Sequence, residues 1–462
     1  MLEKCVAASR ASHRLSDRAK GTGTVAIARI GGARPYLSGQ DLPLSIDMAI
    51  IGLGYVGLPL AQQAARSGLT VVGFDVNTSM VRTLMDGRSH IDDLSDADVA
   101  EMLELGFTAS TDESVLAGAD AIVICVPTPL SLDGEPDLGA IIASTTTIAR
   151  QLRPGHLVVL ESTTYPGTTD EVVRPILEEG GLVAGVDFHL AFSPERVDPG
   201  NPVYGIANTP KVVGGHTPVC TDVAAAFYGR FIQTVVPSTG TREAEMTKLL
   251  ENTYRHINIA LVNEMAQFCH EMDIDLWEVI RNAATKPFGF QAFYPGPGVG
   301  GHCIPIDPNY LSFKVRSTLG RPFQFVELAQ SINQQMPAYV VERLADLLND
   351  EGKALRGSTI LLLGVTYKPD IADQRESPAT PLAQLLLAKG AELVFHDPHV
   401  QTWTPGGEAV TRADDLDAAL RTADVSVLLQ NHRAYDLAHV ASTARRLFDT
   451  KGATDSPAVE RL

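Results

Sequence analysis

The stretch Ile50-Ile-Gly-Leu-Gly-Tyr-Val-Gly57 runs on into Leu-Pro-Leu-Ala61 and reaches Val71-Val-Gly-Phe-Asp75. Gly52, Gly54 and Gly57 form G-x-G-x-x-G between an apolar, strand-like run and a helix-forming run. Asp75 closes the next apolar run, 18 positions after Gly57. Glycines at this spacing permit a tight turn and let a pyrophosphate approach the helix N-terminus, with Tyr55 and Val56 inside the same turn. An acid at the end of the second strand accepts hydrogen bonds from an adenosine ribose and repels a 2′-phosphate. The pattern therefore predicts a Rossmann unit that binds NAD rather than NADP, and not a generic glycine turn.

Around this unit, from Asp47 to about Val236, apolar runs alternate with helical stretches. The runs are 48–52, 70–75, 121–126, 157–161, 188–192 and 211–214. Such alternation predicts a parallel sheet with helices on both faces. Ligands in such sheets lie beyond the strand carboxyl ends, which singles out Thr128, Thr163, Glu195 and Arg196. From Thr241 to about Asp275 a helical pattern runs without Gly or Pro and sets Glu245, Lys248 and Asn252 on one face. A solvated stripe and a functional face are equally open readings of that alignment. From about Met336 the runs 359–364, 391–397 and 425–430 repeat the α/β grammar without a second full G-x-G-x-x-G. The expected fold is thus α/β, with two Rossmann-like, doubly wound domains and a helical segment between them. The expected division is an extension over 1–46, an NAD-binding domain over 47–236, a helical domain over 237–335 and a last domain over 336–462.

Between these domains lies Pro295-Gly-Pro-Gly-Val-Gly-Gly-His-Cys-Ile-Pro-Ile-Asp307. Glycine and proline at that density exclude a helix or strand interior and make a shaped loop. A single thiol in such a cradle, four residues before a carboxylate, reads as an active-site nucleophile, because the thiolate is the reactive form. A free Cys in a turn is the plainer alternative. His302 beside Cys303 invites a Cys/His dyad, but adjacent side chains on an extended loop point apart.

At 462 residues, 45% hydrophobic and 20% charged, the chain has the composition of a multidomain globular protein. Its formal charge of −18 argues against nucleic acid or an anionic membrane as partner. No apolar run reaches the roughly 20 residues needed to span a bilayer. Five scattered cysteines point to a reducing cytoplasm rather than a disulfide framework, and no CxxC or HExxH supports a metal. An acidic protein that binds phosphates must concentrate positive charge locally, and Lys314, Lys368 and Arg375 are candidates for that role.

From Asp47 to Asp449-Thr-Lys451 the chain resembles the UDP-glucose/UDP-N-acetyl-sugar/GDP-mannose 6-dehydrogenases. The resemblance rests on Gly-Leu-Gly-Tyr-Val-Gly-Leu-Pro (52–59), Val-Pro-Thr-Pro (126–129), Ser-Thr-Thr-Tyr-Pro-Gly-Thr-Thr (162–169) and Phe-Ser-Pro-Glu-Arg (192–196). It continues in Glu-x-x-Lys-x-x-x-Asn (245–252), Gly-Gly-His-Cys (300–303) with Asp307, and Tyr-Lys-Pro-Asp (367–370) with Arg375-Glu-Ser-Pro. It implies NAD on the first domain, UDP gripped mainly by the last, and a central helix that dimerises. It also implies a two-step, four-electron oxidation of a sugar 6-hydroxyl through a thiohemiacetal and a thioester. In that chemistry Cys303 is the nucleophile, Lys248 stabilises the oxyanion and shares in proton transfer, and Asp307 holds or activates water. Glu195 and Thr163 assist the acid–base steps, and Asn252 orients the sugar. Gly52, Gly54, Tyr55, Val56, Gly57, Asp75, Thr128 and Thr163 would contact the cofactor. Arg196, Lys248, Asn252, Arg255, Gly300, His302, Lys368 and Arg375 would contact the substrate. Ile306 stands where the UDP-glucose pattern carries a lysine, so any role of that lysine is absent here.

Arg196 and Arg255 replace apolar residues of the UDP-glucose branch, and His302 replaces a serine. These donors match the acetamido carbonyl of a UDP-N-acetylhexosamine. Ile-Pro-Ile-Asp-Pro after the Cys points to the gluco epimer, so UDP-N-acetylglucosamine is the expected substrate. The manno and galacto epimers are alternatives, and UDP-glucose is expected to be poor. Two other classes stay open: a dead, nucleotide-binding regulatory protein, and a one-step NAD-dependent hydroxyacid dehydrogenase yielding one NADH per substrate.

Overall fold

The computed structural model describes residues 45–131, 134–196, 201, 203–301, 304–454 and 456–462. Of the expected extension, residues 1–44 lie outside this set, as do His302 and Cys303. Everything described belongs to one compact unit, Pro43–Leu462.

The first sheet has eight strands: β1 (Ile46–Ile51), β2 (Val71–Phe74), β3 (Thr108–Ser110), β4 (Ala119–Ile124), β5 (Leu157–Leu160), β6 (His189–Phe192), β7 (Lys211–Gly215) and β8 (Val235–Ser238). Their spatial order is β3-β2-β1-β4-β5-β6-β7-β8. All pairs are parallel except β6 with β7, which run antiparallel. Side chains alternate across the sheet, so Met48 and Ile50 enter the core on one face. Ala49 and Ile51 enter the core on the other. Burial on both faces explains why these strands read as unbroken apolar runs. Strand order reverses between β1 and β4, and the crevice at such a reversal is where α/β sheets bind ligands.

The second sheet has β9 (Thr359–Leu363), β10 (Glu392–His396), β11 (Thr411–Arg412), β12 (Val425–Leu428), β13 (Leu447–Asp449) and β14 (Glu460–Arg461). Its order, β11-β10-β9-β12-β13-β14, repeats the reversal around β9. The expected pair of doubly wound units is present. The runs at 48, 70, 121, 157, 188, 211, 359, 391 and 425 all became strands. Five strands were not read from the sequence: β3, β8, β11, β13 and β14. Each spans only two to four residues, too short for a period-2 pattern to register.

Helices Thr241–Glu271, Leu276–Ala284, Asp307–Leu319 and Gln324–Asn349 lie between the sheets in sequence. The first and last of these pack extensively on each other. Pro337 sits within the helix Gln324–Asn349.

Candidate active site

The glycine turn at the end of β1 is built for a ligand at one position and for packing at two others. A Cβ on Gly52, whose φ is +92°, would lie 2.5 Å from the carbonyl oxygen of Cys125, and one on Gly57 would lie 2.0 Å from that of Gly52. A Cβ on Gly54 would meet nothing within 4 Å. Open space over Gly54, at the start of helix Gly57–Arg66, is where a pyrophosphate needs to approach the backbone. Asp75 also shapes this turn: its Oδ2 accepts from the Leu53 N–H at 3.0 Å and its Oδ1 from the Asn77 N–H at 2.8 Å. Each carboxylate oxygen keeps a lone pair for a ribose hydroxyl, so the residues fit a dinucleotide. Asp75→Ala is expected to weaken NAD binding by about 1.5–3 kcal/mol, the worth of hydrogen bonds to a charged group. Titration calorimetry with NAD checks this, and an unchanged Kd would remove Asp75 from the site.

Across the crevice, Thr128 follows β4 and Thr163 follows β5, both half-buried. The carbonyl of Thr128 accepts from the Tyr310 hydroxyl at 2.7 Å. This bond ties the Rossmann crevice to the helix that begins at Asp307.

The polar face of helix Thr241–Glu271 is buried, which decides against a solvated stripe. Glu245 is fully buried and accepts from the N–H groups of Gly167 (2.6 Å) and Thr169 (2.9 Å) and from the Thr169 hydroxyl (2.7 Å). Burial pushes its carboxyl up to about 7, against the pull of those donors. Its work is to hold the segment after Thr163. Lys248, one turn on, is 5% exposed, and its ammonium lies 3.6 Å from Glu195 Oε2. Asn252, a further turn on, donates to Asp307 Oδ2. Asp307 is 1% exposed, and burial lifts its carboxyl to about 6 while Lys248 and Asn252 draw it back down. Glu195, Lys248, Asn252 and Asp307 thus come together from three elements far apart in sequence. A buried lysine beside one carboxylate and near a second whose carboxyl is lifted toward neutrality can stabilise an oxyanion and pass protons.

Three sequence motifs match the UDP-glucose/GDP-mannose dehydrogenase family: its NAD-binding domain over residues 46–232, its central domain over 242–335 and its UDP-binding domain over 361–456. The chain belongs to this family. It is an NAD-dependent nucleotide-sugar dehydrogenase. It is similar to UDP-N-acetyl-D-mannosamine dehydrogenase of Salmonella typhi, 36% identical over 421 residues, covering 88% of this chain and 98% of that one. It also superimposes on a UDP-D-ManNAc dehydrogenase from Pyrococcus horikoshii with a TM-score of 0.81 at 32% identity, covering 90% and 98% of the two chains. A UDP-glucose dehydrogenase from Pyrobaculum islandicum gives 0.78 at 28% identity, over 93% and 98%. Fold likeness alone therefore does not separate substrates within the family.

Several residues read as substrate contacts are already engaged within the dehydrogenase. Arg196 forks onto Glu251 (2.6 and 3.3 Å) and donates to the Pro210 carbonyl at 2.6 Å. Arg375 forks onto Asp373 and lies over the ring of Tyr55, 5.6 Å from its centroid. Lys314 pairs with Glu171 at 2.8 Å and lies over the ring of Tyr165. Lys368 is half-buried and faces Asp93, while Arg255 is exposed one turn beyond Asn252. Gly300 lies close against the UDP-binding domain: a Cβ there would come within 2.8 Å of the Glu376 carbonyl oxygen.

The sequence reading missed two features. Glu161 and Lys211 form a buried ion pair at 3.0 Å, with the Tyr228 hydroxyl donating to Glu161. Together with Tyr55, Glu195, Arg196 and Asp370 they line a cleft of about 740 Å³. An acid directly after the apolar run Leu157-Val-Val-Leu160 was the available signal. The second is Lys451, half-buried just after β13, its ammonium next to the glycine-rich loop at Gly296. Burial draws that ammonium down to about 8, and among the described residues it forms no ion pair.

Asp370, His399 and His432 also approach one another closely enough to share a cation. Both ring nitrogens of His432 are occupied, one by the Asp370 N–H at 2.9 Å and the other by Asp397 at 3.1 Å. Asp370 is clamped in turn by Arg433. The cluster is a structural knot of the UDP-binding domain.

Proposed function

We propose that this chain oxidises the 6-hydroxyl of UDP-N-acetyl-D-mannosamine to the uronate, using two NAD per sugar. The observation carrying the epimer is the likeness, along nearly the whole length of each, to the Salmonella and Pyrococcus proteins named for that substrate. It outweighs Ile304-Pro-Ile-Asp-Pro308, which by itself had favoured the gluco epimer. NAD, when bound over Gly54, supplies the hydride acceptor for both oxidations. The Glu195 carboxylate takes the hydroxyl proton, and the Lys248 ammonium beside it steadies the developing charge on the sugar oxygen. Asn252 holds the sugar hydroxyl and at the same time fixes Asp307. Cys303 adds to the aldehyde carbon, because an aldehyde has no second hydride to give until a nucleophile has made it tetrahedral. After the second oxidation the carbon is a thioester. Asp307 then draws a proton from water, which attacks the carbonyl and releases the thiol.

The division at 46/47, 236/237 and 335/336 belongs to the same proposal, and the three family matches support it. A panel of UDP-sugars followed by NADH release tests the substrate. UDP-N-acetylmannosamine is expected to exceed UDP-N-acetylglucosamine by about tenfold or more in kcat/KM. It is expected to exceed UDP-glucose by about a hundredfold or more, since a site built for the acetamido group leaves polar groups unpaired without it. Equal or higher kcat/KM with UDP-N-acetylglucosamine overturns the epimer assignment.

We also propose a homodimer. Met246, Leu250, Tyr254, Leu261, Phe268 and Met272 stand exposed along helix Thr241–Glu271 at spacings of four, four, seven, seven and four. They form a continuous apolar stripe along a helix about 46 Å long. A second copy in a two-fold arrangement presents the same stripe and covers it. Leu250→Glu with Leu261→Glu is expected to give monomers by light scattering, and an unaltered mass would dismiss the stripe as the interface.

A further inference from the structure

The glycine-rich loop leading to Cys303 begins Pro295-Gly296-Pro297. Proline has no N–H, so Gly296 carries the only backbone donor of that tripeptide, and all three residues are buried. That donor is captured by Asn263, a fully buried amide on helix Thr241–Glu271, whose Oδ1 accepts from it at 2.9 Å. Asn263 Nδ2 then donates to Asn333 Oδ1 at 2.9 Å, from helix Gln324–Asn349. Asn333, 5% exposed, donates onward to the His256 carbonyl at 3.4 Å.

The polarity of this chain is fixed at both ends. Gly296 offers only a donor, and the His256 carbonyl offers only an acceptor. Neither amide can flip without losing a bond in a water-poor interior, where an unmet polar group costs more than the bond is worth. Farther on, the Gly301 N–H donates to the Glu376 carbonyl at 3.3 Å, and Gly298 and Gly301 both adopt positive φ. The loop is therefore held at its start by the helix that carries Lys248 and Asn252, and at its end by the UDP-binding domain.

We propose that Asn263, backed by Asn333, is a positioning residue. It sets the described stretch of the glycine-rich loop, residues 295–301, in register with Lys248 and Asn252 on its own helix. This rests on the reading of Cys303 as the nucleophile. Chemistry shared between a helix and a loop tolerates errors of about 0.5 Å, and a misplacement of about 1 Å costs on the order of a hundredfold in rate. The role is distinct from general stability because it acts on one loop.

The test uses the full-length chain with three variants and two readouts. Asn263→Leu keeps the volume and removes both bonds. It is expected to lower kcat by roughly 10–100-fold, to leave KM for NAD within about twofold, and to change the iodoacetamide labelling rate of Cys303 at least about threefold. Labelling is read by peptide mass spectrometry, because the chain has five cysteines. Asn263→Asp is expected to recover most of kcat. A carboxyl at that depth is held protonated, so it still accepts from Gly296 and donates to Asn333. Asn333→Ser, which leaves the Gly296 bond but removes its backing, is expected to fall between them, and it decides the matter if Asn263→Leu does not fold. Wild-type kcat and labelling in Asn263→Leu, or in Asn333→Ser should it stand alone, overturn the proposal whatever the melting temperature. Cys303→Ala assayed in parallel separates the cases: full activity there removes the nucleophile and with it the basis of the positioning role, whereas an inactive Cys303→Ala beside a wild-type Asn263→Leu removes the positioning role alone.

Discussion

Alanine at position 303 is expected to abolish uronate formation, by on the order of 10³-fold or more in kcat, while NAD and UDP-sugar still bind. The reasoning is chemical. The first oxidation uses groups other than the thiol, whereas the second needs a tetrahedral adduct with a good leaving group. Serine at 303 would form an oxygen ester that forms and hydrolyses slowly, so Cys303→Ser is expected to accumulate a covalent adduct visible by intact-protein mass spectrometry. Two NADH per sugar from Cys303→Ala at the wild-type rate would falsify the thioester route. One NADH per sugar from the wild-type chain would instead favour the one-step hydroxyacid-type dehydrogenation, which the sequence alone leaves open.

Asp307→Asn is expected to move activity and stability in opposite directions. Burial lifts the Asp307 carboxyl to about 6, with Lys248 and Asn252 opposing the rise and Glu195 adding to it. A folded pKa above the unfolded value of about 3.9 means that the folded state holds its proton more tightly. The ionised carboxylate therefore costs stability above pH 6, on the order of 3 kcal/mol, and the cost disappears as pH falls toward 4. Asparagine keeps the shape and the Asn252 contact without the charge. The variant should be more resistant to urea than wild type at pH 8 and equal to it near pH 4.5. Its kcat should fall by about 10²-fold or more, as expected for loss of a general base. The wild-type rate should drop on acidification through pH 6, and the variant should lack that limb. A variant as active as wild type, or one less stable at pH 8, would count against this account of Asp307.

The exposed stripe on helix Thr241–Glu271 and the buried pair Lys248–Glu195 illustrate why helical spacing was ambiguous. Spacings of three and four residues put Glu245, Lys248 and Asn252 on one face, but spacing does not say what covers that face. Only packing against the segment after Thr163 and the helix from Asp307 turns it into a buried polar wall.

The sequence by itself determined the α/β class, the two doubly wound units, the NAD turn and the family, because these rest on local rules. Turn glycines, apolar runs and an acid at a strand end act within a few residues of one another. The glycine pattern also anticipated Gly52, Gly54 and Gly57, though not that Gly52 and Gly57 serve packing while Gly54 leaves room for a ligand. The tertiary structure decided which charges are free to act. Arg196, Arg375 and Lys314 looked available in sequence, yet each has a carboxylate within hydrogen-bond reach. Glu161 with Lys211, Lys451, and Asn263 with Asn333 looked unremarkable and proved buried or half-buried at the cleft or against the glycine-rich loop. The physical reason is the range of the interactions. Propensity and periodicity are set by neighbours along the chain, whereas, apart from Arg375 with its near neighbour Asp373, this pairing is set by partners 50 to 143 residues away, which only the folded chain brings within about 3 Å.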